Sequence, residues 1–341
     1  MRDITTIGID LAKNSFAVVG LDENGKAVFR KTLRRNKLLA FISQSPKSLI
    51  GLEACSGAHY WGREFVKLGH QVGIMAAKYV APYRTGDKND INDALAIAEA
   101  VRRPNVRYVP IKSADQQAVL CIHSIRAGLR DERTALINQL RGLLSEFGLI
   151  MPQGRHAAQR TIIGILEDAE NGLPDLAREL LSDVNSRIHQ LNDQITRYDR
   201  RVAQDVKHKP QAQRLMSIPG VGALTASGIV ASVPDPHEFK NGRQFAAWLG
   251  LVPRQYTTGG KVRLGRITKR GNTYLRTCLV HGARSAIAAL GDKQDRVSCW
   301  VRSLIERRGY LRAVVALAAR NARLIWTLMV KQEDYRAIEM T

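Results

Sequence analysis

The sequence predicts a mixed α/β domain, then two long helices, then a basic and mainly helical C-terminal part. Three observations predict it. Short β-branched segments alternate with helix patterns in the first hundred or so residues, two extended heptad-like stretches fill the middle, and no Asp or Glu occurs from Phe239 to Gly291.

The N-terminal elements follow in order. ITTIGID is β-branched and apolar and carries Asp10 at its end; SFAVVGLD and KAVFRKTL follow, joined by ENGK, whose Asn24-Gly25 pair is a strong hairpin signal. NKLLAFISQ has the pattern of a short helix, SLIGLEA that of a fourth strand ending at Glu53, HYWGREFVKLG that of an amphipathic helix closed by Gly69, and HQVGIMAA that of a fifth strand. The charged segment KYVAPYRTGDKND is expected as a loop before the helix INDALAIAEAVRR, and Pro104 and Pro110 mark a boundary.

From Ser113 to about Gly148 the pattern is one long helix with Leu120, Ile125, Leu129, Leu136, Leu140, Leu143 and Leu144 along a stripe. A second, from about Leu173 to Val206, carries Leu176, Leu180, Leu181, Val184, Ile188, Leu191 and Ile195. Two such helices predict an antiparallel coiled-coil arm, with a plain helical bundle as the alternative. Composition changes again near Lys207, where HKPQAQ is expected as a linker before a helix–PGVG–helix segment. The expected domains are therefore 1–110, 111–206 and 207–341.

The 341 residues carry 52 Lys and Arg against 31 Asp and Glu, a formal net charge of +21. That excess implies a polyanionic partner, nucleic acid first. No uninterrupted apolar run nears the ~20 residues that span a bilayer, and the N-terminus has no signal-peptide layout, so a soluble, cytoplasmic protein with no membrane partner is expected. The four cysteines form no CxxC pair and are expected as small apolar residues.

Asp10 and Glu53 sit at strand ends, where a mixed sheet presents ligand groups. Asp90 and Asp93, three residues apart at a helix start, share one face; Asp87 is a lesser candidate. Gathered together, four carboxylates need a cation between them, and oxygen-only ligands select Mg²⁺ or Mn²⁺. Taken singly, Asp10 could cap a turn and Asp90 could cap its helix. In IPGVGALTASGIV, Gly220 and Gly222 suit a helix-hairpin-helix turn whose N–H groups meet a phosphate, or an ordinary packing joint. The basic run adds Arg254, Lys261, Arg263, Arg266, Lys269, Arg270 and Arg276 as nucleic-acid contacts. Within it, Thr257, Thr258, Gly259 and Gly260 form a small polar loop. Its hydroxyls could lie beside a phosphate, or its threonines could simply be β-formers.

Several segments, taken in order, resemble the DEDD transposases of bacterial insertion sequences, a group described as bridge-RNA-guided recombinases. They are GIDLAK, GLEACSGAHYWGREFVKLGHQV, KNDINDALAIAEA, SIPGVGALTASGI, FAAWLGLVPRQYTTGGKVRLGRITKRGN and YLRTCLVHGARSA. The resemblance implies a RuvC-like domain of ribonuclease-H fold with Asp10, Glu53, Asp90 and Asp93 as its metal-binding set. It further implies a coiled-coil region, a C-terminal transposase domain, a dimer or tetramer, donor and target DNA and a noncoding bridge RNA as partners, and a serine that becomes linked to DNA. Here the matching loop has no serine: Thr257 is placed first, Thr258 second and Tyr256 third, the alternative being a chain without a competent nucleophile. A metal-dependent nuclease of branched DNA and a non-catalytic nucleic-acid binder are the competing readings.

Overall fold

The computed structural model describes residues 4–87 and 89–336. Lys88 of the third motif and the outer ends of the first and last expected domains lie outside them. The chain divides into two compact units, Met1–Asp115 and Gln116–Thr341.

In the first unit, β1 (Thr6–Leu11), β2 (Ser15–Leu21) and β3 (Ala27–Arg34) form an antiparallel meander. Helix α1 (Arg35–Ser43) returns the chain so that β4 (Leu49–Glu53) runs parallel to β1. After α2 (Ala58–Lys67), β5 (Gln71–Met75) adds parallel to β4. Helix α3 (Ala77–Val80) and a 3-10 turn (Ala81–Tyr83) lead to α4 (Asp90–Val101), and β6 (Tyr108–Val109) closes the order β3-β2-β1-β4-β5-β6. The expected mixed α/β sheet is present. The segment expected as a loop after β5 holds α3 and the 3-10 turn, and the two-residue β6 is too short to leave a sequence pattern.

Alternation sorts the strands into two faces. Phe16, Val18, Ile50 and Leu52 pack with α1 and α2 residues such as Leu38, Trp61 and Phe65. Ala17, Val19 and Leu21 face the other way, onto Ala94 and Ala98 of α4. On that second face a glycine floor brings α4 close. A Cβ at Gly8 would stand 2.2 Å from the Ala94 carbonyl oxygen and 2.5 Å from the Ala98 nitrogen, and one at Gly51 would stand 2.9 Å from Val101 Cβ. Asn89 caps α4, its side chain accepting from the Asn92 amide.

Among the described residues, the second unit is helical apart from one hairpin. Helix α5 (Ala114–Ser145) is followed by α6 (Arg155–Glu167) and α7 (Asp175–Lys207). α5 and α7 are joined antiparallel by Arg126–Asp199 and Arg133–Asn192 bonds and enclose a core that includes Ile137, Leu140, Leu144, Leu181 and Ile188. The expected stripe is only partly the buried one: Ile125, Leu143, Leu176 and Leu180 are exposed, while His123 and Arg133 are buried. The segment expected as a linker starts a helix instead, because Pro210, lacking an N–H, suits the first turn of α8 (Pro210–Met216). The PGVG turn, α9 (Ala223–Ser232), a 3-10 turn (Pro236–Glu238) and α10 (Gly242–Trp248) follow. Then come the hairpin β7 (Pro253–Thr258) and β8 (Lys261–Ile267), and α11 (Thr273–Ala288), α12 (Arg296–Arg308) and α13 (Tyr310–Lys331). α13 is long and apolar enough to cross a bilayer, but half of its most apolar window is buried, with Leu317, Ala322 and Ile325 in the core of this unit.

A buried relay ties α5, α7, α9 and α11 together. His123 Nδ1 lies 2.8 Å from the Tyr274 hydroxyl and Nε2 3.1 Å from Ser227 Oγ; Ser227 donates to Asp205, which Lys209 neutralises at 2.7 Å. With Nε2 protonated and Nδ1 accepting, each group is satisfied by a neutral imidazole.

The glycine floor is testable. Gly8→Val should lower stability by about 3 kcal/mol, since backbone atoms of α4 cannot yield as a flexible side chain would. Gly164→Ala, in an open position on α6, should be neutral or slightly stabilising. Urea midpoints decide; equal midpoints for Gly8→Val and the unmodified chain would remove the close-approach argument.

Candidate active site

Asp10 shares its face of β1 with Gly8, and Glu53 shares its face of β4 with Gly51, so both carboxylates project toward α4. Ile9 pairs with Leu52, one residue before each, which sets them level on neighbouring strands. α4 brings Asp90 and Asp93 in its first turn to the same edge. Because Asn89 is the cap, Asp90 is not held as one.

The charges are mutually felt. Burial raises the Asp10 carboxyl above its ordinary value, and the negative charges of Asp93, Asp90 and Glu53 raise it further, while Arg84 opposes them. Arg84 comes from the segment after the 3-10 turn and bridges two members of the set, with its Nε 2.8 Å from Asp93 Oδ1 and an Nη 3.4 Å from Glu53 Oε2. Among the described residues no three His, Cys, Asp or Glu side chains stand in metal-holding geometry. The chemistry of the set still fits a hard cation, since all its donors are oxygens and one cationic side chain already bridges two of them. Asp87 lies on the exposed loop, where its carbonyl accepts from Asn92.

In the hairpin, direct cross-strand partners share a face. Tyr256 pairs with Arg263 and Thr258 with Lys261, whereas Thr257 pairs with Val262 and Gln255 with Leu264. The ribbon is thus two-sided. Thr258, Tyr256, Lys261, Arg263 and Arg254 form a basic side, and Thr257, which accepts from Gln255 at 3.2 Å, lies on the side of Val262 and Leu264. Gly259 and Gly260 at φ +56° and +74° supply the left-handed turn.

Other expected contacts divide. Arg266, Lys269 and Arg270 are exposed, Lys269 in the left-handed region at φ +54°. Arg276 is buried, and its guanidinium donates to the carbonyls of Leu249 and Arg270 and to Thr273 Oγ1, so it clamps the loop instead of meeting a partner. Gly220 is required by packing: a Cβ there would lie 2.6 Å from the Gly282 carbonyl oxygen. Gly222 meets no such neighbour and opens onto a cleft of about 1110 Å³ that Arg126 and Arg130 also line. The cysteines depart from expectation too, for Cys55 and Cys121 are exposed. Partial desolvation of Cys55, then the charges of Asp10 and Glu53, raise its thiol.

Two family models match different parts of the chain. The family model described as transposase of the IS116/IS110/IS902 family matches residues 212–297, and the IS110 DEDD transposase model matches residues 7–148. A probable family 20 transposase of Pseudomonas aeruginosa is 45% identical, covering 98% of this chain and 99% of that protein. The chain belongs to the IS116/IS110/IS902 transposase family. The transposase for insertion sequence element IS1111A of Coxiella burnetii is 41% identical, over 98% of this chain and 92% of that protein. The transposase for insertion sequence element IS1328 of Yersinia enterocolitica is 37% identical, over 96% and 97%.

Within this transposase, sequence reasoning missed Arg84 and the relay. The signal for Arg84 was weak, since it is one of three cations, with Lys78 and Lys88, in the charged loop between Glu53 and the Asp90–Asp93 pair. In the relay His123 meets residues 104 and 151 positions away, which no local pattern reports.

Two histidines set a pH dependence. His123 is lowered to about 4 by burial, then by Arg126; His59, whose Nε2 lies 2.9 Å from Lys112 Nζ, is lowered to about 4 by burial, then by Lys112 and Arg63. Both are neutral when folded but take a proton below about 6.5 when unfolded. Their contribution is whole above that pH and is lost as pH falls toward 4, by up to about 1.4 kcal/mol per pH unit for each. Urea melts between pH 7.5 and 4.5 should show the fall, and His123→Gln should flatten it; an unchanged slope in that variant would exclude His123 as a source.

Proposed function

We propose that this transposase cuts and exchanges DNA strands for insertion-sequence mobility, with Asp10, Glu53, Asp90 and Asp93 holding Mg²⁺ or Mn²⁺ and a threonine of the β7–β8 ribbon attacking the phosphodiester. One observation carries the reading: acidic side chains from β1, β4 and α4 crowd the charge of Asp10 and draw Arg84 in as a bridge. Bound divalent ions would supply charge neutralisation on the phosphate oxygens. Arg84 meets part of that need from within the chain, and it would have to release Glu53 and Asp93 for them to hold a divalent ion.

The two-sided ribbon favours Thr258, beside Lys261, over Thr257, which the loop match put first. Its hydroxyl oxygen forms a bond to phosphorus as the bond from phosphorus to one DNA oxygen breaks. The hydroxyl proton is given up to solvent and the departing oxygen takes one. The bond is conserved, so attack by a second DNA hydroxyl releases the threonine and joins strands. Arg254, Lys261 and Arg263 neutralise the phosphate in this step. Tyr256, on the same side, is the second reading for the nucleophile.

The partners in this reading are donor and target DNA, a noncoding bridge RNA and further copies of the chain, acting in the cytoplasm. Gly222, Arg266, Lys269 and Arg270 add nucleic-acid contacts, with α8, the PGVG turn and α9 as a helix-hairpin-helix element. The parts are a RuvC-like domain (1–110), a coiled-coil arm (111–206) and a C-terminal domain (207–341). Exposed Phe147 and Ile150 after the end of α5, and Leu176 and Leu180 at the start of α7, support oligomer contacts there.

Mn²⁺ titration followed by electron paramagnetic resonance tests the metal set. Asp10→Asn should weaken binding at least about tenfold and Arg84→Gln should tighten it. No Mn²⁺ binding by any form sinks the metal reading, and equal affinity for Arg84→Gln sinks only the competition. With labelled element-junction DNA, the flanking RNA and Mg²⁺, a denaturant-stable protein–DNA adduct should survive Thr257→Val and vanish with Thr258→Val. The reverse pattern would overturn the Thr258 assignment; nicked ends without an adduct would leave the nuclease reading.

A further inference from the structure

The first unit carries a second acid-free basic stretch. From Asn24 to Leu52 there is no Asp or Glu, while Lys26, Arg30, Lys31, Arg34, Arg35, Lys37 and Lys47 are all present. Much of this charge gathers at the end of β3 and the start of α1, where Arg34, Arg35, Asn36 and Lys37 are exposed. Beside them is an open hollow of about 700 Å³ lined by Asn14, Arg34, Arg35, Asn36, Tyr60 and Trp61, among others. Arg35 fixes its rim. Its amide donates to the Asn14 carbonyl at 2.9 Å, and its guanidinium lies 5.1 Å from the Trp61 ring centroid. Trp61 is buried under that cation, whereas Tyr60, edge-on to it at 5.1 Å, is 43% exposed.

Edge protection explains part of the charge, since β3 is a sheet edge and lysine or arginine there discourages strand addition. It does not explain an exposed tyrosine and two asparagines set into the same hollow. The position is also informative. Asn14 belongs to the β1–β2 turn just past Asp10, and Tyr60 to the first turn of α2 just past Glu53. The hollow therefore opens at the sheet end that carries the carboxylates, but on the α1–α2 side instead of the α4 side.

We propose that this hollow is a subsite for an unpaired nucleic-acid strand, with one base stacked on Tyr60, its edge read by Asn14 and Asn36, and its phosphates on Arg34 and Lys37. An aromatic face interleaved with cations suits single strands, because every base offers a π face and only an unpaired one can turn it outward. A duplex keeps its bases stacked and would engage the cations alone. The assignment stands apart from the metal reading, since it uses none of the four carboxylates.

The test uses the full chain and single strands of oligo-dT or oligo-U carrying one 5-iodopyrimidine, cross-linked by light and mapped by peptide. The expected cross-link is to the peptide that holds Tyr60. Tyr60→Ala should abolish it and weaken single-strand binding about tenfold, leaving duplex binding unchanged, and Tyr60→Phe should restore both. Cross-linking of RNA alone assigns the subsite to a guide strand, of DNA alone to a substrate strand, and of both to the shared chemistry. Cross-links confined to the β7–β8 ribbon, or a Tyr60→Ala chain that melts normally and binds single strands like the unmodified chain, would overturn the proposal.

Discussion

The carboxylate edge depends on how closely α4 can lie on the sheet. Gly8 and Gly51 leave no side chain between β1, β4 and the helix, and the helix start then falls over the strand ends that carry Asp10 and Glu53. Like charges are thus brought together by apolar packing farther along the same elements. Ala94, Ile97, Ala98 and Val101 gain burial, while Asp10 bears the electrostatic cost. Arg84 is the local answer to that cost, and it is supplied by a loop, which can rearrange more readily than a strand or helix.

The same logic separates residues that serve the fold from those free to serve a partner. Gly220 and Gly222 are alike in sequence, but only Gly220 is pinned, against Gly282. Arg276 and Arg270 lie in one basic run, yet Arg276 is buried and donates to two backbone carbonyls, one of them that of Arg270. A count of charges in the run cannot make this distinction; burial can.

The sheet was readable in the sequence because its strands are short β-branched runs punctuated by Asn24-Gly25 and by helix patterns, and because Asp10 and Glu53 fall at run ends. The long helices were readable in extent but not in facing. Ile125, Leu176 and Leu180 look like seam residues by spacing and are exposed, while His123 and Arg133 take buried places through bonds to Ser227, Tyr274 and Asn192. α6 has too weak a stripe to stand out between two longer helices, and Pro210 suggested a break where it opens a helix. In the site, the carboxylates were legible as a set, but the Arg84 bridge and the side of the ribbon on which each threonine lies are matters of tertiary placement and strand register.

The ribbon has one more consequence. Every residue of β7 and all but the last of β8 are exposed, Tyr256, Val262 and Leu264 among them, so the hairpin has little core of its own. Two strands alone are marginal in water. A side chain mounted there is therefore poorly aimed until something grips both sides of the ribbon. Order in the ribbon thus falls to whatever packs against it, since the isolated hairpin supplies little rigidity of its own.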